Sequence, residues 1–121
     1  MNFLVKSTET GTKFDFLKGE EVLLSSEVYS SKDSCLNGVE SVKNFAPEAP
    51  VEDQTVANYA EEKCPKFEVY EDQGGKFRFR LKANNGQIIG HSNPHDTVAE
   101  AKNALQEVKN NVVNAPVDDQ A

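Results

Sequence analysis

APVEDQ at residues 49–54 returns as APVDDQ at residues 115–120. The two phrases start at 49 and 115, an offset of 66, and the same offset pairs Ser26 with Ser92, Asn37 with Asn103, and Val42-Lys43-Asn44 with Val108-Lys109-Asn110. A phrase that recurs together with its surroundings marks an internal repeat, so the chain reads as a tandem duplication. Nearer the start of each copy the offset slips to 63 or 64: Phe3 and Val5 answer to Phe67 and Val69, and Phe14 and Phe16 answer to Phe77 and Phe79. A difference in the length of an early loop accounts for the slip.

The second copy shows what the unit builds. Phe67-Glu68-Val69-Tyr70 alternates, Asp72-Gln73-Gly74-Gly75 supplies turn residues, and Lys76 to Lys82 alternates again, which predicts a hairpin. Asn85-Gly86 is a pair that builds tight hairpin turns, and residues 87–92 read as a third strand. From Thr97 the period becomes helical, with Thr97 and Glu100 spaced as a capping box and Val98, Ala101, Leu105, Val108 and Val112 on one face. Cys35, Val39, Val42 and Ala46 repeat that stripe in the first copy, with Ser30 and Asp33 as its expected cap. Pro47 and Pro116 end the helices, and Val51 and Val117 fall in short final strands. The unit is strand, strand, strand, helix, strand, an α+β arrangement.

A unit of this size, about 55 residues, buries too little apolar surface to be comfortable alone, so two copies in one chain are expected to share one sheet and one core. The expected organisation is a single domain over residues 1–121, with repeat 1 at 2–54, a linker at 55–65 (TVANYAEEKCP) and repeat 2 at 66–121. Thirteen Lys and Arg against twenty Asp and Glu give a net charge of −7, which makes nucleic acid an unlikely partner. The start of the chain lacks a signal-peptide pattern and no stretch approaches a membrane span, so a cytoplasmic location without membrane contact is expected. Cys35 and Cys64 have no metal-ligand or redox spacing and read as a buried thiol and a linker thiol.

The stretches VYSSKDSCLNGVESVKNFAPEAPVED at 28–53 and KFEVYEDQGGKFRFRLKANNGQII at 66–89 resemble the bacterial family named after YegP. The resemblance covers nearly the whole chain. It departs at residues 93–106, where NPHDTVAEAKNALQ replaces the first copy's SSK-CLNG phrase, and at the degenerate residues 7–21. It implies a single antiparallel sheet made by both copies, with helices packed on one face and the last strands exchanged between halves. The molecule then looks like the covalent form of a dimer that single-copy relatives assemble from two chains, and a monomer is expected. The resemblance implies no activity.

Candidate sites are few. Arg78, Arg80 and Lys82 form a basic row on the strand face opposite Phe77, Phe79 and Leu81, with Tyr70 beside it, and suit an anion or an acidic partner. Strand parity sets Glu68 opposite Arg78 or Arg80, which favours a solvated, charge-paired sheet surface over a site. Asp15 and Leu17 stand near the corresponding place in the first copy, so a site there is one-sided. Asn37-Gly38 inside the first helix suggests close approach of a ligand or of packed backbone, since a helical glycine costs about 1 kcal/mol against alanine.

His91 and His95 are separated by Pro94 and lack a third local ligand, so neither metal nor cofactor is expected. Ser30 to Asp33 reads as capping, and Gly74-Gly75-Lys76 as a turn rather than a phosphate loop. With no catalytic constellation, the expectation is a small binding or structural module that contacts a protein partner through its sheet. The alternative is a small-ligand binder or enzyme with a pocket at the seam between repeats.

Overall fold

Each alternating stretch becomes a strand and each apolar stripe a helix. The computed structural model describes residues 1–121, in the order β1 (Asn2–Ser7), β2 (Thr12–Lys18), β3 (Glu21–Ser25), α1 (Lys32–Phe45), β4 (Val51–Asp53), β5 (Lys66–Glu71), β6 (Phe77–Lys82), β7 (Ile88–His91), α2 (Val98–Asn111) and β8 (Val117–Gln120). The unit read from the sequence is thus present twice. No helix is long and apolar enough to cross a membrane.

All eight strands form one sheet in the order β4-β5-β6-β7-β3-β2-β1-β8. The halves meet at β3 and β7, where Ser25 pairs with His91, its own counterpart at the repeat offset. A pseudo-twofold axis therefore passes through that pair. The last strand of each half lies on the other half, β4 beside β5 and β8 beside β1. The sheet is mixed rather than wholly antiparallel: its six inner strands alternate in direction, but both exchanged strands join in parallel. Direction parity explains the difference. β4 runs opposite to β3, as β5 already does, and β8 runs opposite to β7, as β1 does.

Phe3, Phe14, Phe16, Phe67 and Phe79 are fully buried on one face of the sheet, in a single core cluster with residues of both repeats and both helices. Helix α1 lies over β1 and β2 of its own half and β7 of the other, while α2 lies over β5, β6 and β3. Each helix thus straddles the seam. The exchanged strands are latched reciprocally. Lys43 of α1 donates to the Ala115 carbonyl at 2.9 Å and sits over the Phe3 ring, and Lys109 of α2 donates to the Ala49 carbonyl and sits over the Phe67 ring. Burial pulls the Lys109 pKa below its usual value. Ion pairs Lys32–Asp119 and Lys102–Asp53, both at 2.6 Å, add a second latch from helix to strand on each side.

The register corrects two details of the sequence reading. Phe3 pairs with Phe16 as Phe67 pairs with Leu81, and Val5 pairs with Phe14 as Val69 pairs with Phe79. Phe14 and Phe16 therefore answer to Phe79 and Leu81, not to Phe77 and Phe79. The Phe14 and Phe79 N–H groups both donate to serine hydroxyls, Ser26 and Ser92, at 2.9 Å. The slip accumulates one residue at each of the first two turns. The cap of α1 is Ser31, whose hydroxyl accepts from the Ser34 N–H, as Thr97 accepts from Glu100. Ser30 lies just before it.

Because each helix covers strands of both halves, fragments 1–58 and 59–121 are each expected to lack a cooperative thermal transition as monomers, and to regain one when mixed. Calorimetry with light scattering on the separate and mixed fragments checks this.

Candidate functional site

Both helices pack on one face of the sheet, which leaves the opposite face without a covering layer. Strand alternation places Arg78, Arg80 and Lys82 on that open face, because Phe79 and Leu81 point into the core. The same rule places Lys66, Glu68 and Tyr70 beside them, since Phe67 and Val69 are buried. The pairing sets Glu68 opposite Arg80 and Tyr70 opposite Arg78.

These side chains form one network. Glu68 accepts from Arg80 Nε at 2.6 Å and from Lys82 at 3.2 Å, and pairs with Lys66 at 3.1 Å. Lys66 also bonds Glu52 of β4 at 2.7 Å. The linker closes over this corner: the Glu62 N–H donates to Glu52 at 2.8 Å and the Gln54 amide at 2.6 Å. Glu52 and Glu68 are consequently only 2% and 3% exposed although they lie on the open side. Arg78 Nε bonds Asp72 at 2.7 Å, and the Arg80 guanidinium lies 4.4 Å from the Tyr70 ring centre.

Burial would raise the pKa of both glutamates, but the cations around them win. Glu52, held by Lys66, Gln54 and the Glu62 N–H, falls to about 2, and Glu68, held by Arg80, Lys66 and Lys82, falls below its usual value. Lys66 is pushed up by its bonds to Glu52 and Glu68. The network sets three basic side chains, Lys66, Arg80 and Lys82, against two carboxylates, Glu52 and Glu68.

The first repeat carries a different pattern on the same face. Asp15 is its buried carboxylate, bonded by Ser25 at 2.7 Å and paired with Lys6 at 3.0 Å and Lys13 at 3.2 Å. Burial works against its ionisation, and these three partners still hold its pKa below the usual value. By register Asp15 stands where the second copy has Arg80, Lys13 where it has Arg78, and Leu17 where it has Lys82. The arginine row therefore occurs once.

Gly38 is explained by packing. A Cβ there would lie 2.4 Å from the Tyr29 hydroxyl oxygen and 3.1 Å from the Phe14 ring. In the second copy His95 stands where Tyr29 is, stacked on Phe79 as Tyr29 is stacked on Phe14, and Ala104 stands in place of Gly38. Asn37 is exposed on α1, on the helix side of the sheet, whereas the arginine row lies on the other face.

Two grooves do lie at the seam, each where a hairpin end of one repeat faces the other. One, of about 410 Å³, runs between Lys18, Glu21 and Leu23 and the His95, Glu100 and Glu107 side. Its counterpart, of about 520 Å³, is lined by Glu27, Tyr29, Gln87, Ile88 and Ile89. A pocket at the seam was among the expectations, but its lining residues were not legible in the sequence, because they depend on the exchange that brings distant segments together.

His91 lies on the open face opposite Arg80, while His95 stacks on Phe79 on the other side, so the two do not converge. No group of three His, Cys, Asp or Glu side chains is placed to hold a metal ion. Cys35 is buried and free, and Cys64 is a free linker thiol. Gly74 and Gly75 form a hairpin turn closed by Asp72, which accepts from the Gly74 and Lys76 N–H groups.

The chain matches the family described as "Domain of unknown function (DUF1508)" over residues 17–53 and 72–119, two segments that fall one in each repeat. A UPF0339 protein of Pseudomonas aeruginosa is 35% identical over 101 residues, covering 84% of this chain and 78% of the relative. A UPF0339 protein of Methanosarcina acetivorans is 50% identical over 52 residues, 43% of this chain but 90% of that one, so its length is that of a single repeat. The solution structure of yegP from Escherichia coli, a protein of unknown function, superposes with a TM-score of 0.77 at 32% identity, covering 98% of this chain and 91% of that one.

Two outcomes are expected from this geometry. Gly38→Ala should destabilise by about 1–3 kcal/mol through the Tyr29 clash, and adding Tyr29→His, which copies the His95–Ala104 pair, should restore stability; denaturant melts of the single and double variants check it. Glu52 has a folded-state pKa lowered from 4.5 to about 2, so its stabilisation is complete above its unfolded value and is lost as pH falls through the folded one. Glu52→Gln should therefore cost on the order of 3 kcal/mol at neutral pH by leaving Lys66 half-paired, and should flatten the acid limb of a stability-against-pH curve measured by urea unfolding.

Proposed function

The chain belongs to the family described as Domain of unknown function (DUF1508), and on that premise we propose that it is a non-catalytic binding module that contacts a protein partner through the open face of its sheet. One observation carries the reading: a sheet eight strands wide has helices on one face only. The other face presents half-buried Tyr70, Arg78, Arg80 and Lys82, with Leu4 and Leu17 toward β1. Tyrosine and arginine on a broad, fixed surface are the residue types that anchor protein interfaces. In this reading the chain works as a monomer, a covalent pseudo-dimer, in the cytoplasm, where Cys35 and Cys64 stay reduced.

The seam grooves favour a second reading, a small-ligand binder, because each is walled by both repeats. A metabolite that raises the Tm of the native protein but not of a His95→Ala variant would select it over the first.

The principal test is affinity capture from lysate with quantitative mass spectrometry. A partner should be lost from Arg80→Glu and kept by Gln106→Glu, which changes an exposed residue on the helix side. A partner retained equally by both variants, or none captured by the native protein, would contradict the proposal.

A further inference from the structure

Resting on that reading, we infer that the surface around Arg78 and Arg80 docks an acidic, carboxylate-bearing extended segment of the partner. The two arginines sit two residues apart on β6 and point to the same face. Each is anchored by Nε alone, Arg80 to Glu68 and Arg78 to Asp72. The hydrogen bonds of both guanidiniums run through Nε, and no buried side-chain nitrogen or oxygen lacks a partner, so the terminal Nη donors face solvent. The result is two oriented forks side by side, the geometry that takes a carboxylate by two parallel hydrogen bonds. The Tyr70 ring lies against the Arg80 guanidinium, 4.4 Å from its central carbon to the ring centre, and Lys82 extends the row.

Charge selects the occupant. In a chain of net charge −7, the Glu52, Glu68, Lys66, Arg80 and Lys82 network carries one excess positive charge, and the Arg78–Asp72 pair beside it is neutral. An acidic segment is therefore repelled by most of the molecule and attracted to the open face; the Lys6, Lys13 and Asp15 cluster there has the same excess charge but no arginine, so the forks fix where it lands. A groove of about 480 Å³ continues the surface past Arg78, bounded by Asp72, Gly74, Lys76 and Pro94.

The test titrates the native protein with a capped deca-glutamate peptide, followed by NMR of the backbone amides and the arginine Nε–H groups. Shifts should centre on Tyr70, Arg78, Arg80 and Lys82. Affinity should fall about tenfold or more in R78Q/R80Q and on raising the salt to about 0.5 M. R78K/R80K, which keeps charge but removes the forks, should bind in between and covers the case in which the glutamine variant fails to fold.

The inference is overturned if deca-lysine shifts the same resonances equally, or if R78K/R80K binds as well as the native protein. It is also overturned if inorganic phosphate matches the peptide, which marks a small-anion site, or if a single-stranded DNA decamer binds more tightly through the same residues. A lysate partner lost from Arg80→Glu without deca-glutamate binding refutes the acidic chemistry alone, whereas a partner indifferent to Arg80→Glu refutes the open-face reading itself.

Discussion

Reciprocal strand exchange is the constraint on which the molecule depends. Each half contributes a three-stranded meander whose phenylalanines line one face, and each helix covers strands on both sides of the seam. A fully buried phenylalanine stabilises by about 1.5–3 kcal/mol. The five buried here together contribute on the order of the 5–15 kcal/mol net stability of an ordinary domain. Phe3 and Phe67 lie on the very strands that receive β8 and β4. Undoing the exchange would uncover them and release the Lys43 and Lys109 latches at once. The core, the sheet and the two outer strands therefore stand or fall together.

Fusion of two copies also frees them to differ. Two identical chains around a true twofold axis would present the same face twice. Here the buried carboxylate of the open face is Asp15 on the middle strand of one meander and Glu68 on the first strand of the other. Moving the anion by one strand reverses the sign at the equivalent central position, from Asp15 to Arg80. Leu4 stands where Glu68 would be, so the first half keeps an apolar patch where the second has a charged network. The pseudo-symmetric scaffold thus carries an asymmetric surface, with one arginine row instead of two.

Much of this architecture was legible in the sequence because repeats, alternation and helical stripes are local signals. APVEDQ and APVDDQ gave away the duplication, and the stripes through Val39 and Leu105 gave the helices. The alignment of Phe14 with Phe77 failed because FDF and FRF look alike, whereas register is decided by which residues reach the core. Phe77 is only half-buried and occupies the place of Thr12, a fact that depends on the bridges to His95 and Tyr29. Ser31 was available from the offset of Thr97, but Ser30 offered an equally good hydroxyl one residue earlier. Gly38 could be marked as a site of close approach but not identified as the seat of Tyr29, since that contact joins residues from different elements. The Glu52–Lys66 bond and the linker crossing over it were invisible for the same reason.

The open-face network raises the question of why so many charges are held rigidly on a surface that solvent can reach. Exposed ion pairs contribute about 0–1 kcal/mol each, so the network's stabilisation lies in its buried carboxylates, Glu52 and Glu68, and not in the outward ends of its cations. Arginine and lysine stems cover Glu68 and the linker covers Glu52, so the carboxylates are buried beneath their own counter-ions. Each cation then gives part of its bonding capacity inward and keeps the rest facing out. A flexible arginine loses about 0.5–1.5 kcal/mol of side-chain freedom when a partner immobilises it. Arg78 and Arg80, already fixed by Asp72, Glu68 and Tyr70, have met that cost during folding. Beside the stability carried by buried Glu52 and Glu68, the network therefore holds two guanidiniums in place in advance, which lowers the entropic cost of a contact made through them.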